Sequence, residues 1–463
     1  MNNAKKTDRS IAIVVLSEVL DNSAFANIAL RKALAETELD ARSRAFVTEL
    51  VNETLRNLLH IDYIVNTFSK THTDKMKPFI RNLLRISVCQ LRKMEKIPAH
   101  AAINEAVALT RAHGFQNLTG FVNGVLRSVD REKDKPYISS ANLALQFSYP
   151  KWLIKSISTW LGDAQVRNFC EYSHMPPPVI VFINTAKTSS QKLVHDLQAE
   201  GVDTETISDS NKNFLMLRQP GDISKLQTFQ NGHFFVIDPG AFLAVNMLTS
   251  WNNSEENRLP SNEQMANEQM TTHPLMHYSV NIEQPIPTII DMCAAPGGKS
   301  FAIACAMQNK CRILSQDIHP HRIELIRQTA KRLGLTAVTP TLQDATVLNP
   351  SLIESADAVL LDAPCSGFGT IRKHPEIKYT RTKSDVQTLA KIQEKMLQTA
   401  AHYVKLGGTL VYCTCTIATE ENMNNITKFL TAHPNFSLAN ATQILPSKTQ
   451  DGFFAAKLIK SAH

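Results

Sequence analysis

The sequence predicts a multidomain chain, with an all-α N-terminal domain followed by an α/β core built on a mostly parallel sheet. Three observations lead there. The chain has 463 residues, more than one ordinary hydrophobic core serves, so it should divide. Residues 10–130 carry helical apolar periodicity throughout. From Thr288 onward short apolar runs alternate with helical segments, the pattern of repeated β-α units.

Over residues 78–91, Ile80, Leu83, Leu84, Val88 and Leu91 recur at helical spacing. Pro78 suits the first turn, where its missing N–H costs nothing. Lys77, Arg81, Arg85 and Arg92 fall on another side of this helix and are expected to form a basic ridge suited to a polyanion such as nucleic acid. Further helices are expected over 101–113, closed by Gly114, and over 121–129. Residues 131–150 read as a connector. Between about 150 and 245 the pattern is mixed, with helices at 152–160 and 189–200 and strands at 179–183 and 234–237. Residues 251–285 are polar and Asn/Gln-rich, contain NEQM twice, and lack apolar periodicity, so a mobile surface insertion is expected.

In the last part, the strands are expected in TIIDM, RILSQD, VTPTLQD, ADAVLLDAP, GTLVYCTC and a final pair ending in DGFFAAKLIK. Helices are expected from Ser300, up to Leu333, over 383–404 and from Glu420. The domain plan is therefore 1–140 helical, 145–250 a small α+β subdomain, 251–285 an insertion and 286–463 the catalytic core.

The net charge of +7 is concentrated at one end. Residues 1–140 hold 21 Lys and Arg against 15 Asp and Glu, and the stretch from Lys75 to Lys96 holds seven basic residues and one acid, Glu95. Such a patch suits a polyanion. The apolar run IAIVVL is far shorter than the ~20 residues of a membrane span, and a cytoplasmic, monomeric protein is expected. The eight cysteines are scattered without a C-x-x-C pair, so neither disulfides nor a metal site is expected, and any special cysteine should be special for its reactivity.

Three motifs sit at strand ends, where ligands bind in parallel sheets. DMCAAPGGKS, residues 291–300, offers a tight loop around Pro296, Gly297 and Gly298 that lets backbone approach a ligand. It has neither dinucleotide nor Walker spacing. Asp317, Asp344 and Asp362 follow at the next three strand ends. Any one acid could cap a helix, but three in register around a glycine loop indicate a nucleoside-bearing cofactor. Asp317 would then bind the ribose hydroxyls and Asp344 the adenine amino group. DAPCSGFGTIRKHPEIK and YCTCT each bring a cysteine to a strand end. A lone cysteine there is most often core packing; two on adjacent loops beside a cofactor pocket point to nucleophilic chemistry. Residues two apart on a strand share a face, so periodicity does not separate Cys413 from Cys415. Cys415 is nearer the carboxyl end, and Cys413, inside an apolar run, is assigned to packing.

DMCAAPGGKS, DAPCSG and the Thr-Cys of YCTCT resemble the cofactor loop and the two cysteine motifs of the sun family of RNA cytosine-5 methyltransferases, over roughly residues 145–463. The resemblance implies a Rossmann-like class I core that uses S-adenosylmethionine. It implies Cys415 as the nucleophile that adds to carbon 6 of cytosine and Cys365 as the residue that releases product, with Asp362 and Lys299 in the catalytic centre. Cys293, Ala294, Ala295, Pro296, Gly297, Gly298, Lys299, Asp317, Arg322, Asp344 and Asp362 would line the cofactor site. The N-terminal helices resemble the RNA-binding antitermination factor NusB, and that fusion resembles the bacterial branch acting on small-subunit ribosomal RNA, free or in an assembly intermediate. The stretch GTIRKHPEIKYTR fits the same branch and implies RNA contacts from Arg372, Lys373 and His374. Where the family usually has Gln-Asp this chain has Ile237-Asp238, a departure at the place of an expected substrate contact.

Other readings fit less well. A DNA cytosine-5 methyltransferase would lack the Thr-Cys motif, and a dead methyltransferase serving only as an RNA binder would not retain the acids, glycines and both cysteines. A nicotinamide dehydrogenase would need the dinucleotide glycine fingerprint. Transfer RNA or large-subunit ribosomal RNA remains an alternative substrate.

Overall fold

The computed structural model describes residues 7–132, 142–207, 213–250 and 286–461. The Asn/Gln-rich insertion expected at 251–285 lies outside them. Among the described residues no helix is long and apolar enough to cross a membrane. Two compact units form, Met1–Pro176 with Ile371–Thr382, and Pro177–Thr370 with Lys383–His463.

The first unit is helical: Asp8–Leu20, Ala26–Ala35, Ala41–Arg56, Leu58–Phe68, Pro78–Lys93, Ala99–Ala112 and Thr119–Arg131, then Leu143–Gln146, Lys151–Leu161 and Asp163–His174. Side chains close open helix ends: Thr7 accepts from the Ser10 amide, and Asp40 from the Ser43 amide at 2.7 Å. The last two helices group with this unit.

The Pro78–Lys93 helix begins with its proline in the first turn, as read from the sequence. It packs against the helices Asp8–Leu20, Ala41–Arg56, Leu58–Phe68, Ala99–Ala112 and Thr119–Arg131. This central position takes Arg85 out of the expected basic ridge. A helix enclosed by five others buries polar residues as well as Ile80, Leu83, Leu84 and Val88, and buried polar groups need partners. Arg85 is buried and grips both oxygens of Asp62, at 2.8 and 2.7 Å, with a third bond to Asn82 at 3.0 Å. Arg81 pairs with Asp21 at 2.7 Å, and Arg92 donates to the Glu132 carbonyl at 3.2 Å. Lys77 is exposed.

A second correction concerns Ile371–Thr382, the stretch expected to supply RNA-binding residues. It folds into the helical unit. Glu376 accepts from the Ala26 amide at 3.0 Å, Lys378 donates to the carbonyls of Arg56 and Phe147 at 2.8 and 3.1 Å, and Tyr379 donates to the Ser148 carbonyl at 3.0 Å. Arg372 is 2% exposed, His374 lies 3.7 Å from Glu376, and Lys373 is half-buried. Arg372 is thus enclosed by protein, and Lys373 and His374 are partly exposed.

The second unit holds two sheets. In the first, β1 (Val179–Ile183), β2 (Asp203–Thr206), β3 (Phe214–Arg218) and β4 (Phe234–Val236) run antiparallel in the order β2-β3-β1-β4. Val181, Ile183, Leu215 and Leu217 pack with Leu193 and Leu197 of the Ser190–Ala199 helix. Alternate residues Ile180, Phe182, Phe214 and Met216 join the main core. This period-2 division is what strand geometry dictates for a sheet covered on both faces.

The second sheet contains β5 (Thr288–Asp291), β6 (Arg312–Asp317), β7 (Val338–Leu342), β8 (Ala356–Asp362), β9 (Val404–Thr414), β10 (Phe436–Ile444) and β11 (Phe453–Lys460). Their order is β10-β11-β9-β8-β5-β6-β7, with β5 to β9 parallel and β10 and β11 antiparallel at one edge. The parallel core follows from the β-α alternation. Strand order reverses at β5, whose neighbours are β6 and β8, so the carboxyl ends of β5 and β8 flank the crevice where such sheets take their ligands.

Candidate active site

β5 delivers Asp291 into the interior, fully buried. Ser300, on the helix that follows, donates to Asp291 Oδ2 at 2.6 Å and lies 2.7 Å from Ser315 Oγ on β6. The other Asp291 oxygen is buried with no hydrogen-bond partner. Burial pushes this carboxyl up to about 7, against the Ser300 hydrogen bond that lowers it. Between Asp291 and Ser300 the glycine loop turns. Gly297 has φ +109°, and a Cβ there would stand 2.2 Å from the Phe301 ring, so only glycine fits. The Ala294 amide donates to the Gln316 carbonyl at 2.8 Å, tying the loop to the end of β6. Ile237 packs over the same loop, 3.4 Å from where a Gly298 Cβ would stand. Cys293 is half-buried, and burial raises its thiol.

Asp317 and Asp344 lie at the next strand ends. Asp317 Oδ1 accepts from the His319 amide at 2.9 Å, and Arg322 stands 3.8 Å from its Oδ2. The following helix starts with His319 as its N-cap and no side-chain cap bond, so Asp317 is not a capping residue. Asp344 Oδ1 accepts from the Thr346 amide and hydroxyl at 2.8 and 2.7 Å. In both carboxylates, Oδ2 takes no hydrogen bond from the described residues. Two such acids near the glycine loop suit a ligand with hydroxyl and amino donors.

At the end of β8 stands Asp362, paired in register with Cys413 of β9. Lys299, in the first turn of the helix Gly298–Ala306, donates to Asp362 Oδ2 at 2.5 Å and lies 5.0 Å from the Phe453 ring centre. Burial opposes the Lys299 charge, but Asp362 and the other anionic groups around it outweigh burial, and its pKa rises. Cys413 is fully buried, as its apolar run implies, yet its thiol also donates to Asp362 Oδ1 at 3.5 Å. Burial and the adjacent Asp362 charge keep that thiol protonated. Asp362 is thus held from both oxygens.

The loops after β8 and β9 bring Cys365 and Cys415 together, with their sulfurs 3.3 Å apart. Main-chain bonds join the two loops: the Ala363 amide to the Cys413 carbonyl at 3.0 Å, and the Gly369 amide to the Cys415 carbonyl at 2.9 Å. The hydrogen bond with Cys415, and then burial, push the Cys365 thiol up. Beneath the thiols Ser366 Oγ lies 2.8 Å from Thr416 Oγ1. Sequence reading did not single out Ser366, Thr416, Gln393 or Glu421, which form this floor. Their only advance signal was the spacing of Glu421 just past the Thr-Cys strand. The structure therefore unites Lys299, Asp362, Cys365 and Cys415, and places Arg372, Lys373 and His374 with the helical unit.

Residues 281–459 match the family described as 16S rRNA methyltransferase RsmB/F, residues 6–131 the NusB family, and residues 149–224 the ferredoxin-like domain of RsmF/B-like methyltransferases. Over 438 residues the chain is 35% identical to the probable ribosomal RNA small subunit methyltransferase B of Bacillus subtilis, covering 93% of this chain and 90% of that one. The chain belongs to the ribosomal RNA small subunit methyltransferase B family. A second member, from Sodalis glossinidius, is 30% identical over 466 residues, covering 98% of this chain and 97% of that protein. The crystal structure of PH0851 aligns over 99% of this chain and all of its own, with TM-score 0.76 and 23% identity. NSun6 from Pyrococcus horikoshii, solved with SFG, aligns over 67% of this chain and 98% of its own, with TM-score 0.54 and 20% identity. Both share the fold. As a member of this family the chain is a methyltransferase, with an N-terminal NusB-like domain before its catalytic core.

Proposed function

We propose that the chain methylates carbon 5 of a cytosine in small-subunit ribosomal RNA, with S-adenosylmethionine as methyl donor. The observation that carries this reading is the pair of thiols 3.3 Å apart, Cys365 and Cys415, beside the Lys299–Asp362 pair. A methyltransferase acting on oxygen or on an exocyclic nitrogen needs no sulfur nucleophile; carbon 5 of a pyrimidine does. The ribosomal substrate follows from what the relatives are called.

The residues around β5 fit the donor. The narrow Gly297 turn, the unpartnered buried Asp291 oxygen and the half-committed Asp317 and Asp344 carboxylates match a nucleoside with ribose hydroxyls, an adenine amino group and an ammonium. When bound, it supplies an electrophilic methyl on a positive sulfur. Arg322 would steady Asp317.

The thiolate of Cys415 adds to carbon 6 of the cytosine, a new C–S bond replaces the 5,6 double bond, and carbon 5 becomes electron-rich. Asp362, fixed by Lys299 and Cys413, holds the edge of the base and stabilises charge that develops at ring nitrogen 3. After carbon 5 is methylated its proton leaves, the electron pair restores the 5,6 double bond, and Cys415 departs as thiolate. Cys365, adjacent to that sulfur, assists this release.

The test is bisulfite sequencing of ribosomal RNA treated with purified protein and donor. One small-subunit cytosine should become resistant to conversion. If every cytosine in both subunits still converts, while methyl groups are incorporated elsewhere, the carbon 5 assignment is wrong.

A further inference from the structure

Cys365 is gripped on both sides of its own peptide. The Pro364 carbonyl before it accepts from Gln393 Nε2 at 2.9 Å, and the Ser366 amide after it donates to Glu421 Oε2 at 2.9 Å. Gln393 Nε2 also donates to that same Glu421 oxygen at 2.8 Å, which joins the two grips into one clamp. Both side chains are fully buried. The clamp is in turn held to β9 and to the helix Met423–Ala432: the Tyr412 hydroxyl donates to the Glu421 carbonyl at 2.5 Å and lies 3.1 Å from Gln393 Oε1, and Asn425 donates to Gln393 Oε1 at 3.0 Å. The opposite loop is fixed separately. Thr414 donates to Asn422 Oδ1 at 2.6 Å, and Asn422 Nδ2 donates to the Thr416 carbonyl at 3.0 Å. Gly369 adds a third constraint, since a Cβ there would stand 2.1 Å from the Gly452 carbonyl oxygen and 2.8 Å from that of Cys415.

We infer that Glu421, together with Gln393, is a positioning residue that keeps the Cys365 thiol against Cys415. Burying a polar, acceptor-bearing side chain here is not explained by stability. No Lys or Arg pairs with Glu421 among the described residues, Oε1 has no partner, and burial pushes its carboxyl pKa up. An unpaired buried acid weakens a fold. What it supplies is one oxygen that accepts two hydrogen bonds at the peptide beside a reactive cysteine. The role in catalysis rests on the proposed cysteine chemistry, since Cys365 is assigned there to product release; the positional role does not.

The experiment reads position directly. Full-length protein is treated with diamide, which takes two electrons and two protons from a thiol pair and becomes the hydrazine. The rate of Cys365–Cys415 disulfide formation is followed by peptide mass mapping in wild type, E421A, E421Q and Q393A, with melting temperature measured for each. E421A and Q393A should cross-link roughly tenfold more slowly, because a displacement of about 1 Å costs steeply in proximity. E421Q, whose amide oxygen can accept both bonds, should stay within about twofold of wild type. Cross-linking of E421A at the wild-type rate in folded protein overturns the inference. Should E421A not fold, Q393A decides on the same criterion. In a methylation assay E421A should accumulate a covalent protein–RNA complex, as loss of the Cys365 thiol would. Wild-type protein that cross-links rapidly but makes no 5-methylcytosine refutes the proposed function and leaves the clamp standing.

Discussion

Cys365 Sγ lies 3.3 Å from Cys415 Sγ, although 50 residues separate them in the chain. Their proximity depends on β8 and β9 being parallel neighbours whose ends coincide, with Asp362 opposite Cys413. Each strand then turns one or a few residues later, and both loops open on the same side of the sheet. Two thiols this close share one environment but differ in partners. Cys365 is enclosed by the Glu421 clamp, and the Cys415 carbonyl is bound by the Gly369 amide.

That difference predicts different mutant behaviour. Cys415→Ala removes the group that adds to carbon 6, so methylation and covalent RNA complexes should both vanish. Cys365→Ala leaves the addition intact and impairs release, so turnover should fall by more than about tenfold while a complex accumulates that survives denaturing electrophoresis. The double variant should behave as Cys415→Ala. Cys413 also enters, because its thiol bonds to Asp362. Cys413→Ser keeps a donor at that place and should remain active, whereas Cys413→Ala should lose a few-fold in turnover. Trapping by Cys415→Ala but not by Cys365→Ala would reverse the roles of the two cysteines.

The buried Arg85–Asp62 pair leads to a prediction about stability rather than RNA binding. Both side chains are largely out of water, and removing one leaves the other uncompensated. Arg85→Met should cost about 3 kcal/mol of stability. Arg85→Met combined with Asp62→Leu should recover part of it. RNA affinity of the folded single variant should fall with salt at the wild-type slope, since removing a cation that neutralises one phosphate would flatten that slope by about 0.7–0.9 log units. A flatter slope, measured by fluorescence anisotropy at several salt concentrations, would return Arg85 to the RNA interface.

Why the ridge misled while the core did not is a matter of what periodicity encodes. Spacing along a helix tells which residues share a face, but not what stands opposite. Arg85 reads as a surface cation until Asp62, on another helix, is seen across from it. The same blindness applies to Ile371–Thr382, where basic residues between two catalytic motifs read as a loop beside RNA; Lys378 instead finds carbonyls of the helical unit. The strand ends were legible because parallel strands are short apolar runs, and the acid or cysteine that closes each run stands out. Asp317, Asp362 and Cys415 were all singled out this way. Glu421 was not, because its meaning lies in the Ser366 amide, which chain order places 55 residues away.

Asp291 gives the last prediction, a pH dependence with a definite sign. Its folded carboxyl titrates near 7, raised by burial, against about 3.9 for an unfolded chain. Below about pH 4 it is neutral in both states and carries no penalty. Between about 4 and 7 the unfolded chain ionises first, so unfolding releases a proton and stability falls as pH rises. Above about 7 both states are ionised and the loss stays constant, at most about 4 kcal/mol for a shift of this size. Asp291→Asn keeps an oxygen for the Ser300 hydroxyl and removes the titration. The variant should therefore gain stability relative to wild type as pH is raised from 4.5 to 8, read from urea unfolding at each pH. A stability difference that does not change across that range would mean that Asp291 is ionised in the folded protein throughout it, so that its charge is balanced by Lys299 rather than suppressed by burial.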